Sequence, residues 1–213
     1  MKIAVIQGST QIDKNDILVR AVKKVVNPLG HEVVNFGVFP DEDSYSYTEV
    51  ALLISLLLSS KSVDFVVTGC SSGQGMALAC NTLPNVLCGF VQTPQDAFLF
   101  GRINDGNTVS FSLGIGYGWL GELNIEYCLE KLFDGDFGVG YPADMAERKV
   151  KEANRVKNFN ALSKKKIDEL LDCLEDDILT KILSKEDVIA YILEYGQDEI
   201  LAQKLKNKAR RIT

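Results

Sequence analysis

Short apolar runs bounded by turn residues recur along the first half of the chain. Each run has four or five residues, which is typical of a strand buried on both faces, and each is followed within three residues by glycine or proline. The pattern therefore predicts five short strands. They cover residues 3–6, 33–36, 63–67, 87–91 and 109–113.

The segments between these runs place apolar residues at helical spacing. Strands that alternate with helices indicate an α/β fold with right-handed crossovers and helices on both faces of the sheet. We therefore predict a doubly wound, Rossmann-like, parallel five-stranded sheet with a ligand site at the carboxyl ends of its strands. The predicted helices cover residues 17–26, 49–58, 75–81, 96–103 and 120–133.

The composition changes near residue 150. Sixteen of the 17 glycines and all five prolines precede this point, and the remaining residues are rich in Lys, Glu, Asp and Leu. We interpret residues 1–150 as an α/β domain and residues 151–213 as a helical C-terminal extension whose mixed charges form a solvated face. Helices are expected over residues 162–183, 185–194 and 198–208.

Charge and cysteine usage exclude several classes of protein. A net charge of -6 disfavours a nucleic-acid binder, which needs a basic face to neutralise phosphates. No apolar run reaches the roughly 18 residues of a membrane span, and no signal peptide is evident, so we expect a cytoplasmic protein without membrane contact. The five cysteines form no CxxC pair, which argues against a disulfide framework and against a metal site.

One loop carries candidate chemistry. The third strand runs into Thr68-Gly-Cys-Ser-Ser-Gly-Gln-Gly-Met76, and a helix is predicted to follow directly. Glycines at this position allow the backbone to approach an oxyanion, and the helix N-terminus favours negative charge. Cys70 is therefore a candidate base at a strand end, with a buried structural cysteine as the alternative.

Spacing tests other interpretations of this loop. A cysteine phosphatase would need an arginine six residues after Cys70, but that position is Met76. Neither a dinucleotide fingerprint nor a Walker loop follows the first strand. A catalytic triad would need a histidine, and we interpret the single histidine, His31, as structural. A second polar cluster at residues 102–107 is either a helix-ending turn or a source of hydroxyl or oxyanion contacts through Asn104 and Asn107.

Several ordered segments together resemble a known family. They are residues 1–4, 29–33, 36–37, 69–76, 79–81, 104–107 and 121–123. With these segments in this order, the chain resembles the ribose-5-phosphate isomerase type B and galactose-6-phosphate isomerase family over about residues 1–150.

The resemblance implies a metal-free, cofactor-free interconversion of phosphorylated aldoses and ketoses. It implies a homodimer or higher homo-oligomer in which the partner completes each site. Cys70 would move the proton between C1 and C2 of the sugar, and the hydroxyl of Ser72 would support it. Arginines after the last core helix would bind the substrate phosphate of a neighbouring subunit, with Arg148 as first choice and Arg155 as second. The enediolate oxygen would be stabilised by the amides of Ser71, Gly73, Gln74 and Gly75.

The sequence also departs from this family. The Asp-His pair of its first loop is replaced by residues 7–10, where Ser9 is the candidate substrate contact, and the ring-opening histidine is replaced by Ile103. We therefore expect either a short sugar phosphate that cannot close into a ring, and so stays in open-chain form, or a different sugar altogether. A non-catalytic carbohydrate- or phosphate-binding module is the alternative, and a protein whose helical tail mediates assembly is a third hypothesis.

Overall fold

A computed structural model describes residues 1–212 and contains one parallel five-stranded sheet. The strand order is β2-β1-β3-β5-β4, and every pair of neighbours is parallel. This confirms the predicted doubly wound α/β fold. The strands are β1 (Lys2–Val5), β2 (Glu32–Asn35), β3 (Phe65–Cys70), β4 (Cys88–Phe90) and β5 (Thr108–Ser112).

Helices cover both faces of the sheet. Side chains alternate along each strand, so β3 contributes Phe65 and Val67 to one core and Val66 to the other. The first core packs against α1, α4 and α5, and the second packs against α2 and α3. These helices are α1 (Asn15–Val26), α2 (Tyr47–Ser59), α3 (Gln74–Thr82), α4 (Pro94–Leu99, continued by a π-helical turn at Phe100–Asn104) and α5 (Gly121–Leu132).

The C-terminal extension packs on the outer face of α2. Residues 50–59 of α2 are all buried because its second face is covered by extension helices rather than by water. Apart from Ser55 and Ser59, these buried residues are apolar on every face of the helix. The extension consists of α6 (Ala146–Ser163), α7 (Ile167–Leu171), α8 (Asp176–Leu183), α9 (Glu186–Tyr195) and α10 (Glu199–Ile212).

The prediction of one helix over residues 162–183 is wrong. The chain leaves helical structure at residues 164–166 and again at 172–175, so that α7 and α8 can both lie against α2. Helices over 185–194 and 198–208 are confirmed as α9 and α10. The division near residue 150 stays a prediction, and α6 runs across it. Within residues 1–212, no helix has the length and apolar character needed to span a bilayer.

Candidate active site

Cys70 is the last residue of β3 and lies at the carboxyl edge of the sheet. It is 9% exposed, and its carbonyl accepts a hydrogen bond from the amide of Leu113 at 2.9 Å. The preceding Gly69 packs so closely on β5 that an added Cβ would lie 2.5 Å from the carbonyl oxygen of Phe111. Close packing of β3 on β5 therefore holds the almost completely buried Cys70 beside the loop at the end of the strand.

The loop after Cys70 turns its carbonyl groups toward β5. Ser112 Oγ donates to the carbonyl of Ser71 at 2.9 Å, and Ser110 Oγ donates to the carbonyl of Gly73 at 2.7 Å. Gly73 has a φ of +74°, which a residue with a side chain rarely adopts. The amides of residues 71–76 find no acceptor within the described part of the chain, so the N-terminus of α3 is a ready anion site.

Two other predicted residues of this loop are accessible. Ser72 and Gln74 are exposed, and neither side chain has a hydrogen-bond partner within residues 1–212. An added Cβ on Gly75 would meet only the ring of Tyr47, at 3.6 Å. These groups therefore stand beside Cys70 free to contact a substrate.

The loop after β1 reaches the Cys70 loop through Ser71. Gln11 Nε2 donates to Ser71 Oγ at 2.9 Å, and Thr10 Oγ1 lies 3.5 Å from the same atom. Ser9 itself is engaged elsewhere, because its Oγ accepts the amide of Tyr45 at 2.5 Å. The structure thus places Ser9 next to the site and adds Thr10 and Gln11, which the sequence interpretation missed.

A buried amide network supports the same edge of the sheet. Gln7, fully buried two residues after the end of β1, donates to the carbonyl of Val38 at 3.0 Å and accepts from Asn15 Nδ2 at 2.7 Å. Asn15 and Asn35 exchange two further amide hydrogen bonds, at 2.8 and 3.0 Å. The only signal in the sequence is the position of Gln7 and Asn35 at the ends of two adjacent strands.

A polar pocket opens between the loop after β1, the start of α1 and residues 38–40. It has a volume of about 480 Å³, and hydroxyl, amide and carboxylate groups contribute much of its wall. Such a lining suits a ligand rich in hydroxyl groups. The pocket is lined by Ser9, Thr10, Ile12, Asp13, Asn15, Asp16, Val38, Phe39 and Pro40.

A glycine-rich loop follows β5 and runs beside Ser71, since the amide of Gly114 donates to the Ser71 carbonyl at 2.9 Å. The hydroxyl of Tyr117 is buried without a partner in the described residues, and burial raises the pKa of Tyr117, so this hydroxyl stays protonated as a potential donor. Lys14 Nζ lies 5.3 Å from the centre of the Tyr117 ring. Trp119 is 84% exposed on the same loop.

Within one chain, three of the predicted substrate contacts lie away from Cys70: Asn104, Asn107 and Arg148. Asn107 precedes β5, and the register of β3 with β5 puts the Cys70 edge five residues further on, about 17 Å at 3.3 Å per residue. Its side chain is occupied, because Oδ1 accepts from the amide of Leu87 at 2.9 Å and Nδ2 donates to a backbone carbonyl at 2.7 Å. Asn104 is exposed at this same opposite edge.

Arg148 also lies away from Cys70 in the same chain. It is in the first turn of α6, with a 60% exposed side chain and an ion pair to Glu152 at 3.4 Å. The α6 helix packs against the π-helical turn that ends at Asn104. A contact between Arg148 or Asn104 and a substrate on Cys70 would therefore have to come from a second copy of the chain.

His31 lies before β2, at the edge of the sheet opposite Cys70. Its Nδ1 is 3.2 Å from the terminal amino group, and its ring packs near Phe133. Burial lowers the pKa of His31 below its usual value. Among residues 1–212, no group of three or more His, Cys, Asp or Glu side chains is arranged to hold a metal ion.

Comparisons with known proteins agree with this architecture. A model of the Ribose/Galactose Isomerase family matches residues 3–141. A search of curated proteins found no match. Among solved structures, a 4-deoxy-L-threo-5-hexosulose-uronate ketol-isomerase crystallised with a tartrate is 35% identical, with a TM-score of 0.93 over 99% of this chain and 100% of that one.

Other solved structures lead to the same family. Ribose-5-phosphate isomerase from Vibrio parahaemolyticus is also 35% identical, with a TM-score of 0.92 over 98% of this chain and 99% of its own. The type B ribose 5-phosphate isomerase of Trypanosoma cruzi shares the fold at 21% identity, with a TM-score of 0.63 over 76% of this chain and 99% of its own. The chain therefore belongs to the ribose/galactose isomerase family.

Proposed function

We propose that this chain is an aldose–ketose isomerase in which Cys70 moves a proton between C1 and C2 of an open-chain sugar. The observation that carries the proposal is the position of a nearly buried thiol at the end of β3, directly before a helix N-terminus with free amides. A base and an oxyanion site side by side are what enolisation requires. The family supports isomerisation as the reaction class.

The proposed reaction moves one proton between two carbons and one between two oxygens. Cys70 Sγ, acting as a thiolate, takes the proton from the carbon next to the carbonyl, and the C–H electron pair forms the C1–C2 double bond of an enediolate. The negative charge develops on the former carbonyl oxygen, where the amides of Ser71, Gly73, Gln74 and Gly75 can donate to it. Sγ then returns the proton to the other carbon, while a proton moves between the two oxygens with help from the Ser72 hydroxyl.

The proposed substrate is a phosphorylated sugar that reacts in open-chain form. Ser9 and Ile103 stand where the family resemblance expects histidines, and neither side chain exchanges protons readily near neutral pH. Ring opening is therefore not assigned to this site. The polar pocket beside Ser9 offers hydroxyl and carboxylate groups for the sugar hydroxyls.

A uronate is the second candidate substrate. The observation in its favour is the 35% identity to a hexosulose-uronate ketol-isomerase over nearly the whole chain, including the C-terminal helices. A carboxylate can use the same helix N-terminal amides as a phosphate. Both candidates share the same reaction at C1 and C2.

We further propose that the protein is a cytoplasmic homodimer in which each active site contains residues from both copies. Free cysteines support a reducing compartment, since none of those in the described chain is paired. A row of exposed apolar residues on α6 supports association of two copies, and it comprises Val156, Phe159 and Leu162. Association would allow Arg148 of one copy to bind the phosphate held by the other.

A substrate screen tests this proposal. Wild-type protein would be assayed with a tetrose phosphate, ribose 5-phosphate and 4-deoxy-L-threo-5-hexosulose uronate, and isomer formation would be followed by chromatography. We expect turnover of at least one open-chain acidic sugar and weak activity on ring-forming ribose 5-phosphate. Saturable binding without any isomerisation would instead favour a non-catalytic sugar-binding module.

A further inference from the structure

The segment between β2 and α2, residues 36–46, lies between the candidate site and the C-terminal helices; we call it the 36–46 loop. On the site side, the amide of Gln7 donates to the carbonyl of Gly37 at 2.8 Å, and Tyr45 donates its amide to Ser9 Oγ at 2.5 Å. Val38 and Phe39 line the polar pocket. The shape of this pocket therefore depends on the conformation of the 36–46 loop.

On its other side, the 36–46 loop is held by a buried lysine of the C-terminal extension. Lys185 is 1% exposed, and its Nζ pairs with Glu42 of the loop and with Asp187 Oδ1 at 3.0 Å. The same ammonium lies 5.3 Å from the ring centre of Phe39. Glu42 in turn accepts the amide of Phe39 on its second carboxylate oxygen, at 2.9 Å. The ammonium is thus linked through one carboxylate to the backbone of a residue that lines the pocket.

Neighbouring residues of the extension reinforce this contact. Tyr45 is buried, and its hydroxyl lies 3.0 Å from Ser184 Oγ. Lys181 pairs with Asp43 at 3.0 Å and lies 4.7 Å from the ring centre of Tyr45. Three side chains from residues 181–185 therefore hold the far side of the 36–46 loop.

Lys185 contributes more than an ordinary surface ion pair. Burying an ammonium group this deeply costs desolvation free energy unless the group is paired, and here two carboxylates and an aromatic ring offset that cost. Removing the charge would leave Glu42 without its main partner and free to turn toward water. Phe39 and the pocket wall would then lose their anchor.

We propose that Lys185 is a positioning residue through which the C-terminal extension fixes the substrate-binding 36–46 loop of the sugar site. The kinetic part of this inference rests on the proposed function, whereas its structural part does not. The C-terminal extension thereby helps to determine which substrate the isomerase binds. Lys185 itself touches neither the substrate nor Cys70.

The test compares Lys185→Met with Lys185→Arg and with a control variant, Lys204→Met. Lys204 also belongs to the extension and also pairs with a carboxylate, that of Asp172, but it does not contact the 36–46 loop. Hydrogen exchange of the 36–46 amides and steady-state kinetics on 4-deoxy-L-threo-5-hexosulose uronate and ribose 5-phosphate would be measured for all three variants. The loop amides should exchange about tenfold faster in Lys185→Met, and KM should rise about tenfold while kcat stays within about twofold, because ground-state binding is lost.

The arginine variant should recover most of the lost affinity, and Lys204→Met should match the wild type. A purely structural role would lower the amount of active enzyme, and hence the apparent kcat, without moving KM. Unchanged loop exchange in Lys185→Met would overturn the inference. If that variant does not fold, Glu42→Gln removes the partner charge from the loop side and should release the same amides, and protected amides in Glu42→Gln would also overturn it.

Failure of the proposed function gives a different result. A wild-type protein that turns over no sugar would refute the isomerase, while hydrogen exchange in the variants would still decide whether Lys185 holds the loop.

Discussion

At the scale of single residues, the position of Cys70 depends on glycines around it. Gly69 lets β3 approach β5, and Gly73 adopts the left-handed backbone that turns the chain into α3. An added Cβ on Gly73 would lie 2.6 Å from the Phe90 ring and 2.7 Å from the backbone of Phe111. The thiol and the free amides are therefore positioned by backbone packing that only glycine permits.

Gly73→Ala should destabilise the protein by about 1–3 kcal/mol, because it combines a strained φ with a backbone clash. Gly30→Ala is the control, since Gly30 has a similar φ of +78° but open space around its Cβ position. That variant should lose only about 1 kcal/mol. Urea denaturation measures both free energies of unfolding, and equal losses would show that the packing of Gly73 is unimportant.

At the scale of elements, the short apolar runs predicted the sheet, but the helices of the extension were predicted only in part. Residues 164–166 and 172–175 contain neither glycine nor proline, so no local signal marks the two breaks between α6 and α8. Apolar residues keep helical spacing through the second break, at positions 170, 171, 174, 178 and 179. The breaks arise from packing against α2, which lies about 100 residues earlier in the chain, and a periodicity argument does not include such contacts.

The residues of the candidate site were likewise predicted only in part. The strand-end rule led to Cys70 and its loop, because that rule needs only the order of strands and helices. The contact of Gln11 with Ser71 joins residues 60 apart in sequence, and no spacing pattern predicts it. Asn107 was predicted to contact the substrate because it is a polar loop residue, but its side chain already forms hydrogen bonds with the backbone of residues 85–87.

Arg148 lies at the start of α6, and its substitution tests the proposed phosphate contact. Arg148→Ala should raise KM for a phosphorylated sugar about tenfold or more, because a guanidinium binds phosphate through paired hydrogen bonds. The KM for a non-phosphorylated analogue should change much less. Lys151→Ala, an exposed cation on the same helix, serves as the control. Equal loss of affinity for both substrates, or no loss for either, would remove Arg148 from the site.

At the scale of the whole molecule, Cys70 and Arg148 stand at different places on one chain. Under the proposed function, an assembly of copies would bring them together in one site. The exposed apolar residues of α6 provide a surface on which such an assembly could form. The proposal therefore makes the oligomer part of the catalytic unit.

Mixing two variants that are each impaired at substrate concentrations below the wild-type KM tests this arrangement. Cys70→Ala and Arg148→Ala proteins, unfolded and refolded together, should form mixed dimers in which one of the two sites has both residues intact. Random pairing predicts recovery of about a quarter of the wild-type activity on a phosphorylated sugar. Recovery no greater than the sum of the separate variants would show that the sites are not shared.

The proton transfer itself is tested by exchange in deuterated water. Wild-type protein should incorporate deuterium at C1 or C2 of the sugar that it turns over best, and Cys70→Ala should do so at least about a hundredfold more slowly, because a methyl group cannot carry the proton. Cys173→Ala, which removes an exposed thiol of the extension, should exchange at the wild-type rate, and circular dichroism should show all three proteins folded. Near wild-type exchange by Cys70→Ala would contradict the assignment of Cys70 as the base.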